Sequence, residues 1–255
     1  MPKKTVAIVQ SSYIPWKGYF DLINSVDEFI LYDDMQYTRR DWRNRNAIKT
    51  PHGCLWLTIP VQVKGKFHQK ICETQVNNSQ WREQHWKSIR TFYARAPYFT
   101  TYKDWLAELY LGCDSVYLSQ INYRFLSALC QVLGITTRLT WSSQYEVPPG
   151  KTERLVTLCQ QAGATDYRSG PAAKDYLDEE QFASAGIAVQ WMEYSSYPEY
   201  HQLFPPFEPA VSIIDLILNE GPNAWQYMKS FAPRTSSPSL LAGEGTQVPG
   251  AEETA

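Results

Sequence analysis

Thr5 to Val9 is a short run rich in β-branched residues, and Glu28 to Tyr32 is a second, each of the kind that forms a buried parallel strand. Between them, in Gly18 to Val26, Tyr19, Ile23 and Val26 share one helical face. The three segments predict a βαβ unit. Leu55 to Val61 and Ile71 to Val76 predict further strands, linked by a turn at Lys64-Gly65-Lys66. Helical spacing recurs from Ser79 (Trp81, His85, Ile89, Phe92), from Thr101, whose Asp104 completes a capping-box spacing, and over Ser119 to Leu133, ended by Gly134. Ile135 to Trp141 then reads as a strand, Thr152 to Ala162 as a helix, and Asp178 as the cap of a short helix ended by Gly186. Ile187 to Trp191 is another strand. Val211 to Asn219 is a last helix, and a short one follows Gly221-Pro222.

This alternation predicts an α/β fold with a mainly parallel sheet flanked by helices, and a small antiparallel excursion near 55–76. One compact domain is expected over residues 1–232. The Ser, Pro, Gly, Thr and Glu-rich stretch 233–255 lacks large apolar residues and is expected to be a disordered tail.

Composition narrows the function classes. The chain has 255 residues, 44% hydrophobic and 20% charged, which fits a folded globular protein. Lysine and arginine number 24 against 26 acids, so a dedicated nucleic-acid binder is not expected. Apolar runs fall far short of the ~20 residues that cross a bilayer, and the N-terminus does not read as a signal peptide, so no membrane span is expected. Five cysteines form no CxxC pair, which fits the reducing cytoplasm. The four histidines show no HxH or HExxH spacing, so no metal ligand set is expected. Aromatic residues reach 14%, with nine Trp and 17 Tyr, serving either a large core or a stacking site.

Chemistry concentrates in two stretches. Residues 33–49 follow the second predicted strand, and ligands in open α/β sheets bind beyond strand carboxyl ends. Arg39, Arg40, Arg43, Arg45 and Lys49 offer donors to phosphate or carboxylate, while Asp33 and Asp34 can hold a cation, a sugar hydroxyl or an amine. That combination suits a small anionic substrate such as a nucleotide sugar. The same run also reads as a solvated face whose arginines pair with Asp33, Asp34 and Asp41. The second stretch, Gln10 to Phe20, leads into the first helix. Gly18 allows close backbone approach, Lys17 adds charge, and Tyr13 or Trp16 can stack on a flat ring; alternatively it is a proline-anchored turn with Trp16 in the core. If the βαβ unit forms, the two loops meet at one sheet edge. Ser169-Gly170 before Pro171 reads as an anion-binding nest, and Asn122 as polar core or ligand contact.

The stretches Gln10, Tyr13, Pro15-Trp16, Gly18 to Phe20, Asp33-Asp34, Gln36-Tyr37, Trp42, Asn44 to Asn46 and Ile48-Lys49 together resemble the WbqC-like protein family. The likeness continues through Trp56 to Pro60, Asn122, Ser169-Gly170 and Ser212 to Asp215. It implies a setting in bacterial O-antigen, surface-polysaccharide or specialised-metabolite biosynthesis, and transfer of an acyl or aminoacyl group onto an amino sugar. Under that reading Asp33 or Asp34 orients or deprotonates the acceptor amine and Arg45 joins them as a catalytic residue. The resemblance adds Tyr19, Gln36, Tyr37, Trp42, Asn44 and Asn46 to the substrate-binding set. A looser likeness links Trp16 to Tyr19 to nucleotidyltransferases that carry HxGH at a helix start: the glycine is kept and both histidines are missing. It implies a related fold and, as an alternative, ATP-dependent carboxylate activation. A noncatalytic sugar-nucleotide-binding protein is a third reading. Donor, cofactor and oligomeric state stay open.

Overall fold

The computed structural model describes residues 2–231; the expectation for the tail at 233–255 lies outside them. Among the described residues seven strands form: β1 (Thr5–Val9), β2 (Glu28–Leu31), β3 (Arg45–Thr50), β4 (Gly53–Thr58), β5 (Arg138–Trp141), β6 (Asp166–Ser169) and β7 (Ala188–Trp191). Five of them make one sheet in the order β5-β2-β1-β6-β7, and every neighbouring pair is parallel. Chain order runs outward from β1 in both directions, so the switch point lies between β1 and β6. The fold is α/β, with a separate two-stranded antiparallel sheet of β3 and β4.

Among the described residues seven α-helices accompany the strands: α1 (Lys17–Asn24), α2 (Gln80–Tyr93), α3 (Phe99–Leu111), α4 (Leu118–Leu133), α5 (Thr152–Gln161), α6 (Glu179–Ser184) and α7 (Ile213–Glu220). Local chemistry sets several ends. The Asp178 carboxylate accepts from the Glu180 amide at 3.1 Å and so caps α6; Ser212 Oγ does the same for the Ile214 amide of α7. Gly134 ends α4 at φ 67°, a backbone that a Cβ disfavours. α3 starts at Phe99, not at the expected Thr101, which lies inside the helix.

Strand alternation divides the core into two layers. Val6, Ile8, Ile30 and Tyr167 pack with Leu155, Leu158 and Cys159 of α5 and Phe182 of α6. Ala7, Phe29 and Leu31 face the other way, onto Tyr19, Phe20 and Ile23 of α1 and the larger helical layer of α2, α3, α4 and α7. At about 25 cal/mol per Å² of apolar surface, each buried ring or branched side chain adds a few kcal/mol to the stability of these layers. Among the described residues no helix is long and apolar enough to cross a membrane.

The antiparallel excursion is shifted from its expected place. Arg45–Thr50 pairs with Gly53–Thr58, whereas Ile71 to Val76 forms no strand and meets its neighbours through single bridges such as Val61 to Val76. There the Thr74 hydroxyl donates to the Lys70 carbonyl and the Thr74 amide to Ile71, closing turns where a ladder would need free groups.

Candidate functional site

The loop after β1 and the segment after β2 are laced together at the carboxyl edge of the sheet. The Tyr13 amide donates to the Trp42 carbonyl at 3.0 Å, and Asn46 Nδ2 donates to the Tyr13 carbonyl at 3.2 Å. Arg43 Nη1 donates to the carbonyls of Gln10 (2.8 Å) and Ser11 (3.2 Å), while the Tyr19 hydroxyl donates to Gln10 as well. Asn122 Nδ2, from α4, donates at 2.9 Å to both Ser11 Oγ and the Arg43 carbonyl. Its own Oδ1 is buried with no partner.

Asp33 is sealed into this junction. One carboxylate oxygen accepts the Ser11 amide at 2.8 Å and the other the Ser119 hydroxyl. Burial raises its pKa above the usual carboxylate value, against those hydrogen bonds and the nearby Arg43 charge. Asp34 is half-buried and accepts from the Ser142 hydroxyl at the end of β5. Two neighbouring carboxylates thus occupy different settings, one enclosed and one reachable. Between the loop and α1, Ile14 is fully buried at φ 39°. A β-branched residue there stores strain of about 1–3 kcal/mol, as functional loops often do.

The remaining expected residues separate into groups. Trp42 and Trp56 are each 44% exposed with ring centroids 5.5 Å apart, and the Arg45 guanidinium lies 4.5 Å over the Trp56 ring while donating to the Arg40 carbonyl. Arg40 itself is exposed. Tyr13 points into the core, its hydroxyl 2.9 Å from His85 Nδ1. Asn44 is tied to the Ile59 carbonyl, and Gln36 and the Tyr37 amide to the carbonyls of Phe67 and Gln69.

Both lysines point inward to the segment 197–206. Lys17 Nζ donates to the Pro198 carbonyl at 2.7 Å, between the rings of Tyr197 and Tyr200, and burial lowers its pKa to about 8 against the pull of Asp21 and Glu199. Lys49 Nζ donates to the Pro206 carbonyl. At the start of α1, Trp16 packs against Tyr194 and Tyr197, and Gly18 is required: a Cβ there would come within 2.3 Å of the Trp16 ring. Across the switch point, Ser169 Oγ accepts from the Tyr167 hydroxyl, and Gly170 caps the 3-10 turn 171–175 beside Tyr194.

The site residues expected from sequence did not include Ser11, Ser119, Ser142, Trp56 or Arg154. The serines carry no pattern of their own; only the strand register brings Ser142 to Asp34. Trp56 has a signal, because strict alternation along β4 puts it opposite Leu57, which faces the core. Two surface depressions, of about 450 and 190 Å³, are lined by α5 and α6 residues such as Glu153, Asp178 and Glu180 and by residues such as Gln131 and Leu139. Neither contains an expected site residue.

Comparison with known proteins places this geometry in a family. The chain is 56% identical over 226 residues to "Uncharacterized protein Rv1507c" of Mycobacterium tuberculosis, an alignment that covers 89% of this chain and 98% of that protein. No solved structure matches it. The model of the WbqC-like protein family matches residues 10–227, from the laced loop through α7 and the 3-10 turn after it, and the chain belongs to that family.

Proposed function

We propose that the chain is a biosynthetic transferase that moves an acyl or aminoacyl group onto the amine of an amino sugar, with the sugar's anionic carrier lying across the carboxyl edge of the parallel sheet. The reading is carried by the lacing of Gln10, Ser11, Asp33, Arg43 and Asn122. It fixes two loops at the edge where α/β folds bind ligands, and it leaves Asp34, Arg45, Trp42 and Trp56 open beside them. Preorganised polar loops of this kind position reactants without reorganising during reaction.

In the transfer, the neutral amine attacks the acyl carbon, a C–N bond forms, and the bond to the donor's leaving group breaks. The proton released by the nitrogen passes to the Asp34 carboxylate and from there to water. Asp33, with both oxygens occupied, positions the loop and does not touch substrate. Arg45 and Arg40 hold one end of the extended anionic substrate and the Trp42–Trp56 pair offers ring surface to it.

The test is a thermal-shift screen of the full chain with nucleotide-linked amino sugars, acyl-CoA and ATP with magnesium, followed by mass detection of product. A ligand that binds only the native state raises its melting temperature. Stabilisation by the amino sugar, and an amide product that Asp34→Asn abolishes, support the reading. Pyrophosphate release from ATP supports carboxylate activation in its place, and stabilisation without turnover under any donor supports a binding protein.

A further inference from the structure

Arg154 is the third residue of α5, whose N-terminus follows β5 and so lies at the same carboxyl edge. Its guanidinium lies 5.8 Å over the Tyr32 ring and donates to Met35 Sδ at 3.8 Å, a weak acceptor. Its Nε is buried and donates to nothing. Among the described residues, no carboxylate oxygen lies within 4 Å of it, although four other ion pairs form. A cation in the first turn of a helix also opposes the positive end of the helix dipole. An arginine that is partly desolvated, unpaired and set against a dipole is electrostatically incomplete until an anion arrives.

The sheet supplies the opposite wall. Val9 and Trp141 both pair with Leu31, so the next residues, Gln10, Tyr32 and Ser142, stand in one row across β1, β2 and β5. Alternation puts Gln10 and Tyr32 on the same face as Ile8, Ile30 and Thr140, the face that α5 covers. With neighbouring strands about 4.8 Å apart, the row spans roughly 10 Å, room enough for a diphosphate. Among the described residues, no hydrogen bond occupies the Tyr32 hydroxyl, and the Gln10 side-chain amide makes none either; both residues are half-buried, and the Tyr32 ring lies beneath the guanidinium.

We propose that Arg154, with Tyr32 and Gln10 beneath it, forms an oxyanion subsite for a phosphate or diphosphate group. The proposal rests on the transferase reading above and deepens it by naming the group that anchors the sugar carrier. Arg154 forks onto two phosphate oxygens, as a guanidinium does best.

The probe is inorganic pyrophosphate, titrated calorimetrically into the full chain at fixed low salt, alongside melting curves. Wild type binds it and melts higher; Arg154→Gln loses at least ten-fold in affinity, and Arg154→Lys retains part. Arg138→Gln, at the opposite end of β5, binds as wild type does. Without ligand, Arg154→Gln melts at or above the wild-type temperature, because an unmatched charge is gone; a purely structural arginine would lower it. Equal pyrophosphate affinity in wild type and Arg154→Gln overturns the subsite, and so does absence of binding to wild type. Equal binding of a nucleotide-linked amino sugar to both overturns the subsite alone, whereas failure of wild type to bind any such sugar sinks the transferase reading with it.

Discussion

The backbone N–H of Ser11 donates to Oδ1 of Asp33 at 2.8 Å, joining the residues that follow two neighbouring parallel strands. With Ser119 on the other oxygen, each carboxylate oxygen accepts a hydrogen bond. Asp33→Ala strands a buried amide and a hydroxyl together and is predicted to destabilise the chain by about 2–4 kcal/mol, read from urea unfolding. Asp34→Asn, at a half-exposed position with one hydrogen bond, should stay within about 1 kcal/mol of wild type and abolish transfer. The two neighbours therefore separate stability from activity.

Asn122→Ala removes both 2.9 Å donors from Ser11 Oγ and the Arg43 carbonyl at a position with no solvent exposure. A cost of about 2–4 kcal/mol is expected, which at this chain length lowers the melting temperature by roughly 4–16 °C. Substrate affinity should fall as well, because the loop loses its tie to α4. A variant as stable as wild type would mean that the lacing contributes little.

The contribution of His85 to stability should weaken in mild acid. Burial lowers the His85 pKa from the usual 6.5 to about 4, opposed by a hydrogen bond to the Thr58 backbone. Between those values the unfolded chain binds the proton and the folded chain does not, so unfolding free energy falls as pH drops from about 6.5 to about 4. The loss approaches about 3 kcal/mol. In His85→Gln this part of the pH profile should flatten, as measured by denaturant midpoints across the range.

Much of the frame was legible in the sequence, and the reasons are local. β1, β2 and β7 hold runs of apolar or β-branched residues, and α4 carries an apolar stripe closed by Gly134. β6 escaped notice because Asp166-Tyr-Arg-Ser is mostly polar: Arg168 and Asp166 both reach Gln190 of β7, so side-chain pairing replaces apolar burial beside β1. Arg45–Thr50 was hidden by the same effect, since its Asn46 and Lys49 are buried through bonds to the carbonyls of Tyr13 and Pro206, distant in sequence. The meeting of the two loops followed from the βαβ rhythm. Which carboxylate is enclosed did not, because it depends on Ser119, 86 positions away.

Arg45→Ala and Trp42→Ala test the open side of the site. Both side chains lie on the surface, so each substitution should change stability by no more than about 1 kcal/mol. Loss of a charged hydrogen bond to substrate should raise KM at least ten-fold for Arg45→Ala, with steady-state kinetics as the check. Unchanged kinetics in both variants would remove these residues from the substrate-binding set.

The most direct measurement is a crystal structure of the chain with a bound nucleotide-linked amino sugar. The expected result is the diphosphate at Arg154 and the sugar amine within hydrogen-bond reach of Asp34, along the row of Gln10, Tyr32 and Ser142. Ligand seated in the acidic groove between α5 and α6, or no ligand at the carboxyl edge at saturating concentration, would contradict it.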